Sequence, residues 1–335
     1  MSAYAAAVRR ATMTAARLHR NLRTEERVLR EGGRVDVFEA AARLDVPLLF
    51  RPLEGLLGAF LNDPIPGVLV TTKRPLSVQR FTTAHELGHQ QLGHKPSLDD
   101  ESMLVRSPFV AQPAYPLQEV EADAFAVTFL MPRWLITWHC ENQGWVGHAL
   151  QRPDAVYQLS LRIGASYQAT CWTLARYKLL SAPTAKRLAG IEPRGIKTDL
   201  LRGYHPPDFR GDVWALSEMD RGMTISGSRS DLFVLRLPEH SGSGYLWNFD
   251  QLREAGFAVV RDEREGPVGD GVGGHVTRRV TALSRERQQG ELQFNERRPW
   301  QPTAPVNTFS IRYDLTGPEQ EGLSRAERQR LLEAV

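Results

Sequence analysis

Hydrophobic and polar positions follow two different periods along this chain, and the change falls close to Gly195. Before it, helical spacing dominates. Val37, Ala40, Ala41 and Leu44 recur at that spacing after Asp36, which predicts an amphipathic helix. Short β-rich runs at residues 46–50, 56–61 and 68–72, separated by Pro and Gly, predict a small sheet. The stretch between Pro116 and Met131-Pro132 predicts a helix of about four turns. On it Glu119, Asp123, Ala126 and Leu130 share an inward-facing stripe, and Glu121 lies roughly opposite, on the side expected to face solvent. Residues 134–190 are helical in pattern. After Gly195 the pattern becomes short alternating strands with Gly and Pro turns, predicting an all-β unit behind a linker at 196–210. Ala326, Leu331 and Leu332 among charges predict a modestly amphipathic last helix.

Chemistry concentrates at His85-Glu86-Leu87-Gly88-His89. On a helix, positions i and i+4 differ by only about 40°, so His85 and His89 point the same way and can share one metal ion. Glu86, one residue round from His85, can reach an attacking water without ligating the metal, which is where a general base belongs. A catalytic zinc site takes three protein ligands and keeps one position open. Glu119 is the third ligand the pattern offers, with Glu121 as the alternative. Asp123, one turn on, is placed to accept a hydrogen bond from the free ring nitrogen of a ligand histidine. His94 follows His89 at i+5, off the ligand face, and reads as a helix-end or surface histidine. These donors suit Zn2+ and also accept Mn2+. Tyr115, Arg106 and His139 are the candidates for stabilising an oxyanion, and the sequence does not choose among them. Residues 93–115, with three prolines and the acidic run Asp99-Asp100-Glu101, predict a mobile loop over the cleft. The run at 68–72 is the candidate edge strand for pairing with an extended substrate.

Composition narrows the class. A chain of 335 residues has room for two or three domains, and 41% hydrophobic with 24% charged residues excludes disordered and membrane classes. A net charge of +3 from 42 basic and 39 acidic side chains demands no strongly basic nucleic-acid surface. Cys140 and Cys171 are too few for a disulfide framework and read as buried, reduced thiols. Arg9, Arg10, Arg17 and Arg20 interrupt residues 1–22, leaving no apolar core of secretory type. The expectation is therefore a cytoplasmic protein whose first helix packs on the catalytic unit.

Phe81-Thr82-Thr83-Ala84-His85-Glu86-Leu87-Gly88-His89, followed by Glu119-Val120-Glu121-Ala122-Asp123-Ala124-Phe125-Ala126 and Leu130-Met131-Pro132, resembles the ImmA/IrrE family of metallopeptidases over about residues 20–190. Gly33-Arg34-Val35-Asp36-Val37-Phe38 and Pro66-Gly67-Val68-Leu69-Val70 extend the likeness upstream. The resemblance implies a cytoplasmic bacterial endopeptidase that inactivates a helix-turn-helix repressor by limited cleavage, switching on a stress, mobile-element or defence response. A second resemblance covers about residues 211–315. Gly211-Asp212, residues 232–237, Ser243-Gly244-Tyr245-Leu246-Trp247, Gly271-Val272-Gly273-Gly274 and Arg298-Pro299-Trp300 follow the order of the chagasin-type cysteine-peptidase inhibitors, implying an immunoglobulin-like β-sandwich. Gly244, Tyr245, Gly273, Gly274, Arg298 and Trp300 fall in its three binding loops. The first loop departs from the pattern: His240, Ser241, Gly242 and Ser243 stand where those inhibitors have Asn, Pro, Thr and Thr. Losing the rigid proline disfavours the wedge that enters a protease cleft and favours a module that senses or binds a protein or peptide.

The expected architecture is thus α+β: a zincin-like metallopeptidase domain with a small sheet at 1–133, a helix-turn-helix-like helical extension at 134–195, a linker at 196–210, the β-sandwich at 211–315 and a helical tail at 316–335. Residues 156–180, with a turn at Ile163-Gly164-Ala165-Ser166, invite a DNA-binding reading through Gln168, Thr170 and Thr173. Against it, Arg176 is the one cation of that second helix, and Tyr167, Cys171, Trp172 and Leu174 look like core, which favours a buttress for the peptidase. Two rivals follow: a DNA- or protein-binding transcriptional regulator with a structural metal, and a tethered cysteine-peptidase inhibitor.

Overall fold

The computed structural model describes residues 2–63, 66–96, 98–100, 116–266, 276–301 and 304–333. The chain opens with α1 (Ala3–Asn21), α2 (Thr24–Glu31) and α3 (Val37–Arg43). Ala7, Ala11, Ala15 and Leu18 line the buried face of α1. Asp36 caps α3 by accepting from the backbone N–H groups of Phe38 and Glu39. Then come β1 (Leu48–Arg51), β2 (Leu56–Leu61), β3 (Gly67–Thr71), α4 (Leu76–Leu92), β4 (Leu98–Asp100) and α5 (Leu117–Leu130). The helices α6 (Arg133–Asn142), α7 (Pro153–Ile163), α8 (Tyr167–Arg176), α9 (Ala182–Ala189) and α10 (Pro193–Leu201) complete this part, so the segment expected as a linker begins inside a helix.

α4 and α5 pack side by side, and α1 packs on α5 and also touches α4. One apolar core runs through all of these helices: Leu18, Leu87, Phe125, Phe129, Ile136, Leu159, Ile163, Cys171 and Leu174 belong to the same cluster. The α7–α8 turn is made by Gly164, whose φ of +70° suits glycine. Thr170 and Thr173 are both buried, with Thr173 Oγ1 3.6 Å from Met131 Sδ, and the exposed Gln168 donates to the Ala189 carbonyl. The two threonines therefore cannot face a DNA groove. α8 is a packing helix of the first core.

The β-rich part contributes β5 (Val213–Ser217), β6 (Thr224–Ser226), β7 (Leu232–Glu239), β8 (Leu246–Asn248), the short helix α11 (Asp250–Glu254), β9 (Phe257–Glu265), β10 (Val276–Ser284), β11 (Gln289–Arg297) and β12 (Asn307–Asp314). They form two sheets, β5-β7-β10-β9 and β6-β12-β11-β8. Trp214, Phe233, Leu235 and Val280 from the first meet Trp247, Phe294, Phe309 and Ile311 from the second in one core.

The chain then returns to its beginning. β13 (Gly322–Leu323) pairs antiparallel with β1, Leu49 opposite Leu323, and α12 (Arg325–Glu333) packs on α3. The first sheet therefore has the order β13-β1-β3-β2-β4. This corrects the expectation that residues 68–72 form a free edge. β3 lies inside the sheet, parallel to β1 on one side and antiparallel to β2 on the other, so no substrate strand can add to it.

Buried polar groups join the two parts. Arg162 pairs with Asp220 at 2.7 Å, Gln158 Nε2 donates to the Val213 carbonyl at 2.7 Å, and Tyr157 Oη donates to Asp212 at 2.8 Å. Thr224 N donates to the Gly32 carbonyl at 2.9 Å. No helix among the described residues is long and apolar enough to cross a membrane.

Candidate metal centre

α4 begins after Pro75 and ends at Gly93, whose φ is +69°. Between them lies a run of polar side chains with almost no exposure: Gln79, Arg80, Thr82, Thr83, His85, Glu86 and His89. Such groups are tolerated inside a protein only when partnered. Arg80 donates to the carbonyls of Val35 at 2.7 Å and Gly164 at 3.1 Å. Burial, with the neighbouring Arg34 charge, lowers its pKa to about 9.

His85 Nε2 and His89 Nε2 lie 3.0 Å apart. Glu119 of α5 brings Oε2 to 3.3 Å from His85 Nε2 and Oε1 to 3.7 Å from His89 Nε2. Bonds of about 2.0–2.1 Å in a tetrahedral zinc site put neighbouring ligand atoms about 3.3–3.4 Å apart; the 3.0 and 3.3 Å separations at His85 Nε2 are close to that, and one donor atom from each of the three residues lies within 4.8 Å of the other two. His85, His89 and Glu119 are the group of buried donors among the described residues that can hold a metal. Burial pushes the Glu119 carboxyl up, and hydrogen bonds and charge from His85 and His89 outweigh that, holding it well below the usual carboxylate range.

Two glycines make the approach possible. A β-carbon on Gly88 would stand 3.0–3.2 Å from Phe125, so its absence lets α5 come close enough for Glu119 to reach α4. A β-carbon on Gly58 of β2 would stand 2.5 Å from Thr82 Cγ2 and 3.0 Å from Glu86 Oε1, so β2 lies against the fully buried Glu86.

Outside the triangle, Asp123 Oδ1 lies 2.9 Å from His85 Nδ1. Glu121 departs from expectation, and His94, at the helix end and off the ligand group as expected, turns inward to meet it. Glu121 is buried, since α1 covers the side of α5 that was expected to face solvent, and it meets His94 rather than the ligand triangle. His94 Nε2 is 2.7 Å from Glu121 Oε2, and His94 Nδ1 is 3.0 Å from His89 Nδ1. Arg10 of α1 donates to both Glu121 oxygens, at 3.2 and 3.1 Å, and to the Leu92 carbonyl at 2.8 Å. One sequence signal points to His94: Gly93 ends α4 in a left-handed turn, and His94 N then donates back to the His89 carbonyl at 2.9 Å, folding residue 94 under the last turn.

Of the oxyanion candidates, Arg106 and Tyr115 lie outside the described residues, as does most of the expected loop at 93–115. His139 is buried beside the Gly33 backbone, and burial and the Arg162 charge lower its pKa to about 3.

At one end of the β-rich part, the Arg298 guanidinium stacks 4.7 Å over the Tyr245 ring and donates to the Ser243 carbonyl at 3.2 Å. A β-carbon on Gly244 would meet Trp300 Cη2 at 2.7 Å, and Trp300 itself is 70% exposed. Glu296, fully buried beneath, accepts from His240 N and from Asn307 Nδ2 and so anchors the first loop. Gly273 and Gly274 lie outside the described residues.

Comparison with known proteins gives two matches. A family model described as the IrrE N-terminal-like domain, a peptidase family, matches residues 41–174, and the Chagasin family of peptidase inhibitors matches residues 226–313. Similar solved structures include the cysteine protease inhibitor EhICP2 from Entamoeba histolytica, with 18% identity, 32% of this chain and 99% of that one covered, and a TM-score of 0.29. Amebosin is similar at 20% identity over 31% of this chain and 96% of its own, TM-score 0.26. PbICP-C, solved in complex with falcipain-2, is similar at 14% identity over 32% and 95%, TM-score 0.20. No curated protein matches.

Proposed function

We propose that this chain is a zinc-dependent endopeptidase that cleaves a protein substrate. The observation that carries this reading is the buried triangle of His85 Nε2, His89 Nε2 and Glu119 with Glu86 on the same helix. Zinc, when bound there, polarises the scissile carbonyl and makes water a usable nucleophile at neutral pH; manganese suits the same donors. Glu86 takes the proton from the attacking water and returns it to the leaving amine. β2 runs beside Glu86 with β4 paired beyond it, and an extended substrate adds at that side of the sheet.

The likeness to the IrrE-like domain supports a helix-turn-helix repressor as the substrate, cleaved once in the cytoplasm to induce a stress, defence or mobile-element response. The Tyr245, Arg298 and Trp300 patch serves as a partner-binding or sensing surface. Incubating metal-loaded wild type and Glu86→Gln with candidate repressors, with products read by mass spectrometry, tests the reading. A single cut made by the wild type alone supports it. Cleavage by both proteins, or failure of the wild type to bind metal, overturns it and leaves the binding-protein rival.

The match to peptidase inhibitors favours a second reading, a tethered inhibitor of cysteine peptidases. Full-length Glu86→Gln separates the two: inhibition of a papain-like enzyme at micromolar concentration establishes the inhibitor, and none removes it.

A further inference from the structure

His89 is the end of a chain of hydrogen bonds that runs out to the first helix. Glu121 is acceptor only, because both its oxygens receive the Arg10 guanidinium, at 3.1 and 3.2 Å. The 2.7 Å contact between Glu121 Oε2 and His94 Nε2 therefore has the proton on His94 Nε2. A neutral imidazole with Nε2–H keeps a bare lone pair on Nδ1. Across the 3.0 Å contact to His89 Nδ1, the donor must then be His89. With its proton on Nδ1, His89 turns the lone pair of Nε2 toward Glu119 and His85.

On the other side His85 Nδ1 lies 2.9 Å from Asp123 Oδ1, and a proton held on that nitrogen by the carboxylate leaves the Nε2 lone pair of His85 facing inward. Two imidazole lone pairs 3.0 Å apart repel each other unless a cation or proton lies between them. The two histidines thus have separate supports: a carboxylate from α5 for His85, and a three-residue relay for His89.

We propose that Arg10, Glu121 and His94 form a positioning relay that fixes the tautomer and ring orientation of His89 for metal binding, which makes α1 a working part of the metal centre. The inference rests on the metallopeptidase reading of the site. α1 lies wholly outside residues 41–174, the part matched by the peptidase family model. Arg10 is held in register by its third contact, to the Leu92 carbonyl at 2.8 Å, at the end of the helix that carries both histidines. Its side chain is 56% exposed, so removing it spares the core.

The test is zinc affinity of the full chain, measured by competition with a chromogenic chelator for wild type, Arg10→Ala, Glu121→Gln, His94→Phe and the double variant Arg10→Ala/Glu121→Gln. Metal-free melting temperatures serve as the folding control. Glu121→Gln and His94→Phe are expected to weaken zinc about 10–100-fold, the usual cost of losing a hydrogen-bond partner of a ligand histidine. Arg10→Ala is expected to weaken it severalfold, with the double variant no weaker than Glu121→Gln alone, because Arg10 acts through Glu121. A shifted visible spectrum of the Co2+ form of Arg10→Ala would mark the altered ligand field. If wild type binds zinc and Arg10→Ala leaves affinity and spectrum unchanged, or if the two effects simply add, the relay is wrong. If wild type itself fails to bind zinc, the metallopeptidase reading falls first. Should Glu121→Gln or His94→Phe fail to fold, Arg10→Ala still decides.

Discussion

Gly58 of β2 is pressed against Glu86: a β-carbon there would stand 3.0 Å from Oε1 of Glu86, 2.9 Å from the Leu69 carbonyl oxygen and 2.5 Å from Thr82 Cγ2. The backbone oxygen cannot yield as a side-chain end can. Gly58→Ala is therefore expected to push β2 and Glu86 apart, with a stability loss of about 1–3 kcal/mol. Peptide cleavage should fall at least about tenfold, since small misplacements of a reacting group are costly. Zinc content should stay near wild type, because the atoms nearest that β-carbon belong to Thr82, Leu69 and Glu86 and to none of the three ligands. Denaturant titration, turnover and metal analysis of the same preparation check all three.

Asp123 and Glu86 are both buried carboxylates of the site, and they should separate cleanly on substitution. Asp123→Asn replaces the carboxylate 2.9 Å from His85 Nδ1 with an amide that can present its donor side and favour the wrong tautomer. Zinc affinity is expected to drop about 10–100-fold. Glu86→Gln should leave affinity unchanged within about twofold while abolishing cleavage. Chelator competition on the two variants side by side gives the comparison.

The parts of the site that are legible in the sequence are those set by local spacing. His85 and His89 at i, i+4, and Glu119 and Asp123 at i, i+4, share helix faces whatever surrounds them. Glu121 is not legible in that way. Its position on α5 reads as solvent-facing, and it becomes interior because α1, carrying Arg10 from 111 residues earlier, packs over it. The interior position of β3 is hidden for a similar reason. β-rich composition marks residues 68–72 as a strand, but its parallel pairing to β1 is a tertiary choice. Nor does the composition of residues 316–335 reveal that two of them extend the first sheet. Trp172 and its neighbours on α8 do announce a core helix, and Thr170 and Thr173 are buried accordingly.

Two buried histidines contribute to the acid sensitivity of the fold. Burial lowers the pKa of His19, stacked on Phe129 with ring centroids 4.7 Å apart, from 6.5 to about 4, against backbone hydrogen bonds that raise it. Burial and the Arg162 charge lower His139 from 6.5 to about 3. Both folded values lie below the unfolded one, so the unfolded chain takes up protons first as pH falls. The stabilisation is complete above pH 6.5 and is lost downward, until pH 4 for His19 and pH 3 for His139. By pH 5 each histidine accounts for a loss of about 2 kcal/mol. Denaturant titrations of metal-free protein at pH 7.5 and pH 5 measure the loss. His19→Phe, which keeps the ring stack and removes the titrating group, should shrink it by about 2 kcal/mol.

Gln79 joins the last segment of the chain to the metal helix. It is fully buried on α4, six residues before His85, and its side-chain amide reads two backbones at once. Nε2 donates to the carbonyls of Thr71 at 3.1 Å and Glu319 at 3.2 Å, while Oε1 accepts from Glu319 N at 2.8 Å. Five residues after Glu319, Ser324 N donates to the Leu48 carbonyl as β13 closes the edge of β1. The β-rich part is thus tied at its far end to β1 and to the helix that carries His85 and His89. Gln79→Ala removes three hydrogen bonds and leaves the backbone of Glu319 without these partners, at a cost of about 3 kcal/mol. Because the lost bonds lie at the junction, protection from hydrogen exchange should fall in residues 316–324 and along β1 and the first turns of α4. It should stay unchanged in β7 and β10 at the centre of the other sheet. Loss confined to residues 316–324 would mean that the segment is an ornament on the sheet. Loss that extends along α4 would mean that events at the β-rich end reach the metal helix through Gln79.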